Sequence, residues 1–318
     1  MLSFRTALQL IRFPNLVIIA ATLLAVRYLA IVPELLVLGI SPEMSATEFM
    51  LVVANSMIIA AGGYILNDAF DIEIDRINHP ERQVIGKLLS RNQGIQIALI
   101  LLMLALCIGV LVSILMASVL PAIVFLIAIL VVWWYAAKLK KTLIWGNLAV
   151  ASMTSATIGM IWLFELDAAR LLQNSQIHTG FLNSIIMAVM IFAGGLNLVR
   201  EIVKDIEDIL GDKEVNCHSL PVVAGIKTSI KVVNVLTILM LLVLTVCLVW
   251  LLNEDLKYVS VWLMVMVVVP LLTFLWQVNR AENKQDYHRS SSFLRWIMVF
   301  GLVSLVVLRL NLLALANV

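Results

Sequence analysis

The stretch Ile58-Ile59-Ala60-Ala61-Gly62-Gly63-Tyr64-Ile65-Leu66-Asn67-Asp68-Ala69-Phe70-Asp71-Ile72-Glu73-Ile74-Asp75 passes without a break from an apolar run into a cluster of carboxylates. Asp68, Asp71 and Asp75 stand at i, i+3 and i+7, so on a helix they share one face, stacked turn over turn. Asp205, Asp208 and Asp212 repeat that spacing at the end of a later apolar run. Like charges stacked this way repel, and a helix that carries them needs a counter-ion or a polar partner. Two such faces, each closing an apolar segment, point to a shared site for divalent cations.

Composition sets the class. Of 318 residues, 62% are hydrophobic and only 13% charged, against about 25% charged in an ordinary soluble domain. A core cannot absorb that much apolar surface, so the surplus faces lipid and the chain is expected to be an all-α, polytopic membrane protein. The net charge of +2 is too small to suggest a nucleic-acid partner, and none is expected. Cys107 and Cys247 lie in apolar runs and Cys217 stands alone in a polar loop, which excludes a disulfide framework and a Cys-based zinc site. His79, His178, His218 and His288 are scattered singly and read as loop or interface residues.

Nine segments approach spanning length: Pro14–Val32, Ala46–Leu66, Ile95–Val119, Pro121–Ala137, Trp145–Leu163, Phe181–Val199, Val232–Leu252, Val259–Trp276 and Phe293–Leu313. The first continues past Ala25 with no small-residue cleavage site, so it reads as a retained helix rather than a signal peptide. With the loops assigned alternately to two sides, all but Arg27, Arg170, Lys257 and Arg309 of the 22 Lys and Arg fall on one side. The positive-inside rule makes that side cytoplasmic, with the N-terminus on it. Both acidic clusters lie there too, after the second and sixth spans, which hints at an internal duplication. The whole of 1–318 is expected to form one membrane domain, in the inner or plasma membrane of a cell. Glu165–Gly180, on the other side, leaves room for a short interfacial helix.

Hard oxygen ligands in this number suit Mg²⁺, which binds through a few carboxylates together with substrate phosphates. Basic residues interleave with the acids, as a phosphate ligand requires: Arg82, Lys138, Lys140, Lys141, Arg200 and Lys204. Taken singly, either cluster could be a wet helix end paired with nearby Arg and Lys. Two matched clusters on one side of a membrane favour a site, because ionisable groups at that boundary are costly unless used.

The chain resembles the UbiA superfamily of membrane prenyltransferases. Asn67 to Asp75 matches the family's Asn-Asp-x-x-Asp-x-x-x-Asp signature, continuing into Arg76, Asn78, Pro80 and Arg82. Asp208 to Asp212, preceded by Asp205, matches the Asp-x-x-x-Asp signature. Arg12-Phe13-Pro14-Asn15 is similar to the first-helix motif, and Tyr135 to Lys140 with Gly146-Asn147 to the basic motif after the fourth helix.

The resemblance implies nine helices around a central cavity in which two Mg²⁺ hold a polyprenyl diphosphate. Asn67, Asp68, Asp71 and Asp75 would hold one metal, and Asp208 and Asp212, with Asp205 ahead of them, the other. Asp71, Asp208 and Lys140 would be catalytic. Asn15, Arg82, Lys138, Lys140, Arg200 and Lys204 would bind the diphosphate, and the spacing leaves both Lys138 and Lys140 open. The run Arg200 to Asp208, with Gly211-Asp212-Lys213 and Leu220-Pro221, is similar to the branch that prenylates geranylgeranylglyceryl phosphate, with geranylgeranyl diphosphate as donor. An aromatic or quinone precursor is the alternative acceptor. A secondary transporter is the alternative of another class, although the acids gather at one face rather than near the midplane.

Overall fold

The computed structural model describes residues 3–165 and 179–316. Among them, nine helices are long and apolar enough to cross a bilayer: α1 Phe13–Val37, α2 Ala46–Phe70, α3 Arg91–Leu115, α4 Leu120–Ala137, α5 Trp145–Phe164, α6 Gly180–Glu207, α7 Ile226–Asn253, α8 Lys257–Asn279 and α9 Lys284–Leu315. The nine expected spans are all present, and the architecture is all-α. The boundaries differ at the polar end of the bundle. The sequence ends the sixth span at Val199 and starts the ninth at Phe293, whereas α6 continues to Glu207 and α9 begins at Lys284. Hydropathy falls where charged side chains begin, but backbone i→i−4 bonding continues regardless of the side chains. The expected interfacial helix after Glu165 lies outside the described residues.

Local chemistry sets the helix starts. Ser45 caps α2 in a reciprocal box, its hydroxyl accepting from Glu48 N at 3.2 Å while Glu48 Oε2 accepts from Ser45 N at 2.6 Å. Ser90 and Gln93 do the same for α3. Between α3 and α4 the chain turns at Ala117, in the left-handed region, and Ala122 N donates to Ser113 Oγ at 2.8 Å. Pro14 and Pro121 each sit in a first turn, where a missing N–H costs nothing.

Packing follows the small residues. The buried stripe of α3 runs Gly94, Ala98, Leu102, Ala105, Gly109 and Val112, and it faces α2. In lipid there is no hydrophobic drive between helices, so close approach through small residues supplies the dispersion contacts that hold them. Outward faces carry Leu99, Ile100, Met103, Leu130, Val246 and Val249, all exposed and all suited to lipid. The bundle encloses a cavity of about 1500 Å³, lined from every spanning helix except α3.

α1 and α8 each contain a π-helical segment, Val26–Ile31 and Met264–Val268, just ahead of Pro33 and Pro270. Proline cannot donate to the helical ladder, and the wider turn absorbs the missing bond. Arg27 lies inside the first of these segments. It is buried, not a loop cation as the topology count assumed, and its Nη1 pairs with Glu165 Oε1 at 2.6 Å. Glu165 Oε2 accepts from Glu43 N at 2.5 Å, and Arg27 Nη2 donates to Met44 O. This network ties α1 and α5 to the α1–α2 connection at the end of the bundle far from the acidic motifs. Burial pushes the Glu165 carboxyl above the usual carboxylate range, and the hydrogen bonds and Arg27 act against that.

Candidate active site

Both acidic motifs share one backbone device. α2 ends at Asp71 (φ −104°, ψ 16°) and a short helix, Ile72–Asn78, resumes at once. α6 ends ahead of Asp208 (φ −98°, ψ 7°), followed by the short helix Ile209–Glu214. Helical hydrogen bonds still cross each break, Asp71 N to Asn67 O at 3.0 Å and Asp208 N to Lys204 O at 2.9 Å. The matched spacing therefore reports matched kinks, which keep each carboxylate row together while turning the following helix across the cavity mouth.

The two short helices pack on each other, and Asn78 joins them. Its Nδ2 donates to Asp208 O at 2.9 Å, its Oδ1 accepts from Gly211 N at 3.1 Å, and Lys284 Nζ donates to its carbonyl at 2.7 Å. Position 211 must be glycine for this contact, because a Cβ there would land on the Asn78 amide. A second close approach is Gly146 at the start of α5, where a Cβ would stand 2.8 Å from Leu139 O. That approach seats the turn carrying Lys140 against α5.

In the first motif, Asp68 accepts from Arg12 Nη2 at 2.7 Å, and the Arg12 guanidinium lies over the Tyr64 ring. Asp71 is buried and forms an ion pair with Lys140. Asp75 lines the cavity, where burial and then repulsion from Asp68 push its carboxyl up to about 6. In the second motif, Asp205 accepts from Asn147 Nδ2 at 2.7 Å and Asp212 from Ser219 Oγ at 2.7 Å. His79 Nε2 lies 3.0 Å from Asp208 Oδ1. Burial raises Asp212. At Asp208 burial acts the same way, but His79 outweighs it and the carboxyl lies below its usual value. For the cations the sign is uniform. Burial opposes charge on Arg12 and Lys140, yet Asp68 holds the first and Asp71 the second above their ordinary ranges.

Asn15, Asn67, Asp68, Asp75, Arg82, Lys140, Arg200, Lys204, Asp205, Asp208 and Asp212 all face one cavity. Two residues named from the sequence do not line it. Asp71 stands behind Lys140, and Lys138 is exposed outside the lining because the tight 3₁₀ turn Leu139–Lys141 directs Lys140 inward instead. Sequence reasoning missed other polar groups. Glu201 is half-buried between Arg200 and Lys204, at 2.8 and 3.1 Å. His288 Nδ1 lies 2.8 Å from Glu207 Oε1, and ligand atoms of His79, Glu207 and Asp208 lie within 4.8 Å of one another. Glu201 and Glu207 share a motif run with Asp205 and Asp208, which is the signal that could have flagged them.

A hard divalent cation fits these donors. The carboxylates are oxygen ligands in excess of the nearby cations, and Asn67 Oδ1 is buried at the cavity wall with no hydrogen-bond partner. Away from the acids the lining turns apolar: Ile19, Phe125, Val132, Met153, Trp162 and Leu305.

A polar mouth over a long greasy cavity, inside a bundle that crosses the bilayer, defines an integral membrane protein built for amphiphilic substrates with an anionic head. Residues 15–313 match the UbiA prenyltransferase family, and the chain belongs to it. It is 29% identical to the digeranylgeranylglyceryl phosphate synthase of Saccharolobus solfataricus over 78% of this chain and 79% of that protein. Identity to the Sulfurisphaera tokodaii synthase is 30%, over 80% of this chain and 82% of that one. A solved digeranylgeranylglyceryl phosphate synthase superposes with a TM-score of 0.62 at 25% identity, covering 96% and 98% of the two chains. A UbiA homologue from Archaeoglobus fulgidus bound to GPP and Mg²⁺ shares the fold, with a TM-score of 0.57 at 13% identity over 94% and 99%. The chain is thus a multi-pass membrane prenyltransferase, not a transporter.

Proposed function

We propose that the enzyme transfers a geranylgeranyl chain from geranylgeranyl diphosphate to the free hydroxyl of geranylgeranylglyceryl phosphate, making a second ether bond, on the cytoplasmic side of the membrane. The observation that carries this is the meeting of two kinked carboxylate rows over an apolar cavity of about 1500 Å³. The names of the relatives support the acceptor, and the asymmetry of the basic residues supports the side.

Mg²⁺ is the cofactor; Asn67, Asp68 and Asp75 on one row and Asp205, Asp208 and Asp212 on the other would hold it, while Asp71, behind the cavity wall, holds Lys140 in place. Bound there, it supplies Lewis-acid neutralisation of the leaving diphosphate. The chain's own groups do the rest. Lys140 and Lys204 offer point charges to the diphosphate oxygens, and Asn15 an amide. The apolar helices take the isoprenyl tail and exclude water, so that the allylic carbon meets the acceptor rather than hydroxide. The C1–O bond breaks with its electron pair on the diphosphate. The acceptor oxygen then bonds to C1, and its proton passes to the released diphosphate.

The test uses the protein in nanodiscs with radiolabelled geranylgeranyl diphosphate and Mg²⁺, offered geranylgeranylglyceryl phosphate or a panel of aromatic acids and quinols. Labelled ether lipid that disappears with EDTA is the expected result. Label on an aromatic acceptor alone would overturn the acceptor, and absence of any product or diphosphate release would overturn the whole assignment.

A further inference from the structure

α6 reaches the polar rim and α9 leaves it, so the two helices run antiparallel, and two contacts fix their register. At the rim, Glu207 meets His288 at 2.8 Å and Ser291 Oγ at 3.4 Å. Deeper in, Gly301 packs against the Phe192 ring, where a Cβ would stand 2.7 Å from the ring edge. Between these contacts, seven residues inward from Glu207 on α6 and from His288 on α9, Arg200 and Arg295 come level. That step is about 10 Å below the rim. Both side chains line the cavity.

Neither guanidinium is fully used by the protein. Arg200 pairs with Glu201 at 2.8 Å, but the same carboxylate is shared with Lys204, and Arg200 Nε is buried without a partner. Arg295 is exposed to the cavity, and among the described residues no carboxylate lies within ion-pair distance of it. Its charged neighbours are Arg200 and Arg82, both of which repel it. Cations gathered below the rim of a membrane bundle without acids to match are costly unless an anion is brought to them. Of the other acids that face the cavity, Glu207 is held at the rim by His288 and Ser291, and the rest lie along the two kinked rows with Lys140 between them. The arginines therefore mark a second anion site on the α6–α9 wall, apart from the diphosphate clamp.

We propose that Arg200 and Arg295, with Arg82 at their edge, bind the phosphate monoester of the acceptor lipid. This rests on the acceptor being a phosphorylated glycerol lipid, and it moves Arg82 and Arg200 from the donor to the acceptor. Guanidinium forks match phosphate oxygens two at a time, which suits a dianionic monoester. A phosphate held on this wall turns the acceptor's free hydroxyl toward the carboxylate rows, where C1 of the donor lies. An acceptor without the phosphate has no such anchor.

The experiment compares wild type with Arg295→Gln in nanodiscs, measuring KM separately for donor, for geranylgeranylglyceryl phosphate and for its dephosphorylated alcohol. Arg295 is chosen because its removal leaves no buried partner unpaired. The expected result is an acceptor KM raised roughly 10- to 100-fold, the worth of a charge-assisted contact. Donor KM and the Mg²⁺ requirement stay within about 2-fold. The alcohol is a poor substrate for both proteins, and Arg295→Lys regains part of the loss. An unchanged acceptor KM, or a donor KM that rises in step, sinks the site while leaving the transfer to phosphorylated lipid intact. Wild-type transfer to an aromatic acceptor alone sinks the acceptor assignment and the site with it.

Discussion

Replacing Asn78 with Leu keeps the volume and removes the amide that hydrogen-bonds the backbone of the second kink from the first short helix. Asn78 is 6% exposed, so neither Asp208 O nor Gly211 N gains water in exchange for the lost bonds of 2.9 and 3.1 Å. Orphaning a buried polar group costs about 1–3 kcal/mol, and two orphaned by one side chain, being less than additive, come to roughly 2–4 kcal/mol. Both bonds fix where the second row stands relative to the first, and their loss falls on the alignment of the rows. Felt fully in the transition state, that is roughly a 30- to 1000-fold drop in turnover. The assay is release of labelled product as a function of Mg²⁺ concentration. Asn78→Leu should lower kcat and raise the Mg²⁺ needed for half-maximal rate, since two rows that drift apart bind metal less well. Gly211→Ala should repeat the effect from the other side, because the new Cβ displaces the Asn78 amide. Full turnover at an unchanged Mg²⁺ requirement in Asn78→Leu would refute the bridge.

Three further outcomes follow from the same geometry. Asp208→Asn should reduce turnover by about 100-fold or more while expression and membrane insertion stay normal; near-wild-type turnover would contradict a role for the second row. The raised carboxyls of Asp75 (about 6) and Asp212 make the metal-free folded protein bind more protons than the unfolded chain. Their stabilisation is present below the ordinary carboxylate pKa and is lost as pH rises through the folded values, so thermal unfolding in EDTA should show higher stability at pH 5 than at pH 7.5. The difference is about 1 kcal/mol from Asp75 alone, and Mg²⁺ should remove most of it; the depressed Asp208 acts only below about pH 4 and does not reverse the sign. Glu165→Gln leaves the Arg27 guanidinium buried without its charge partner and should cost about 3–5 kcal/mol, read as early thermal unfolding with wild-type activity per folded molecule. Replacing both Arg27 and Glu165 with apolar residues should cost less.

The spans were legible because a bilayer imposes a length and a polarity that sequence states directly, and the acid rows because helical periodicity is fixed. What pairs across the fold was not. His79 and His288 read as solitary loop residues, and nothing in their spacing says that they meet Asp208 and Glu207. Arg27 was counted as a loop charge because a tally of cations cannot see a partner as distant in sequence as Glu165. Lys138 and Lys140 were equivalent on paper. A turn of three residues, with its tighter rotation, separates one at the surface from the other at the cavity wall. The kinks at Asp71 and Asp208 leave no trace in composition, since neither glycine nor proline marks them.

The overshoot of α6 has a consequence for how an amphiphile is handled. Its 28 residues reach about 42 Å, whereas the hydrocarbon of a bilayer is about 30 Å thick. The acidic end of α6 therefore stands at headgroup depth, with the greasy cavity beneath it at the level of the acyl chains. A prenyl diphosphate lying in the leaflet already has its charge at the first depth and its tail at the second. It can reach that depth without inverting and without dragging a phosphate through oil, so the search for the enzyme is two-dimensional.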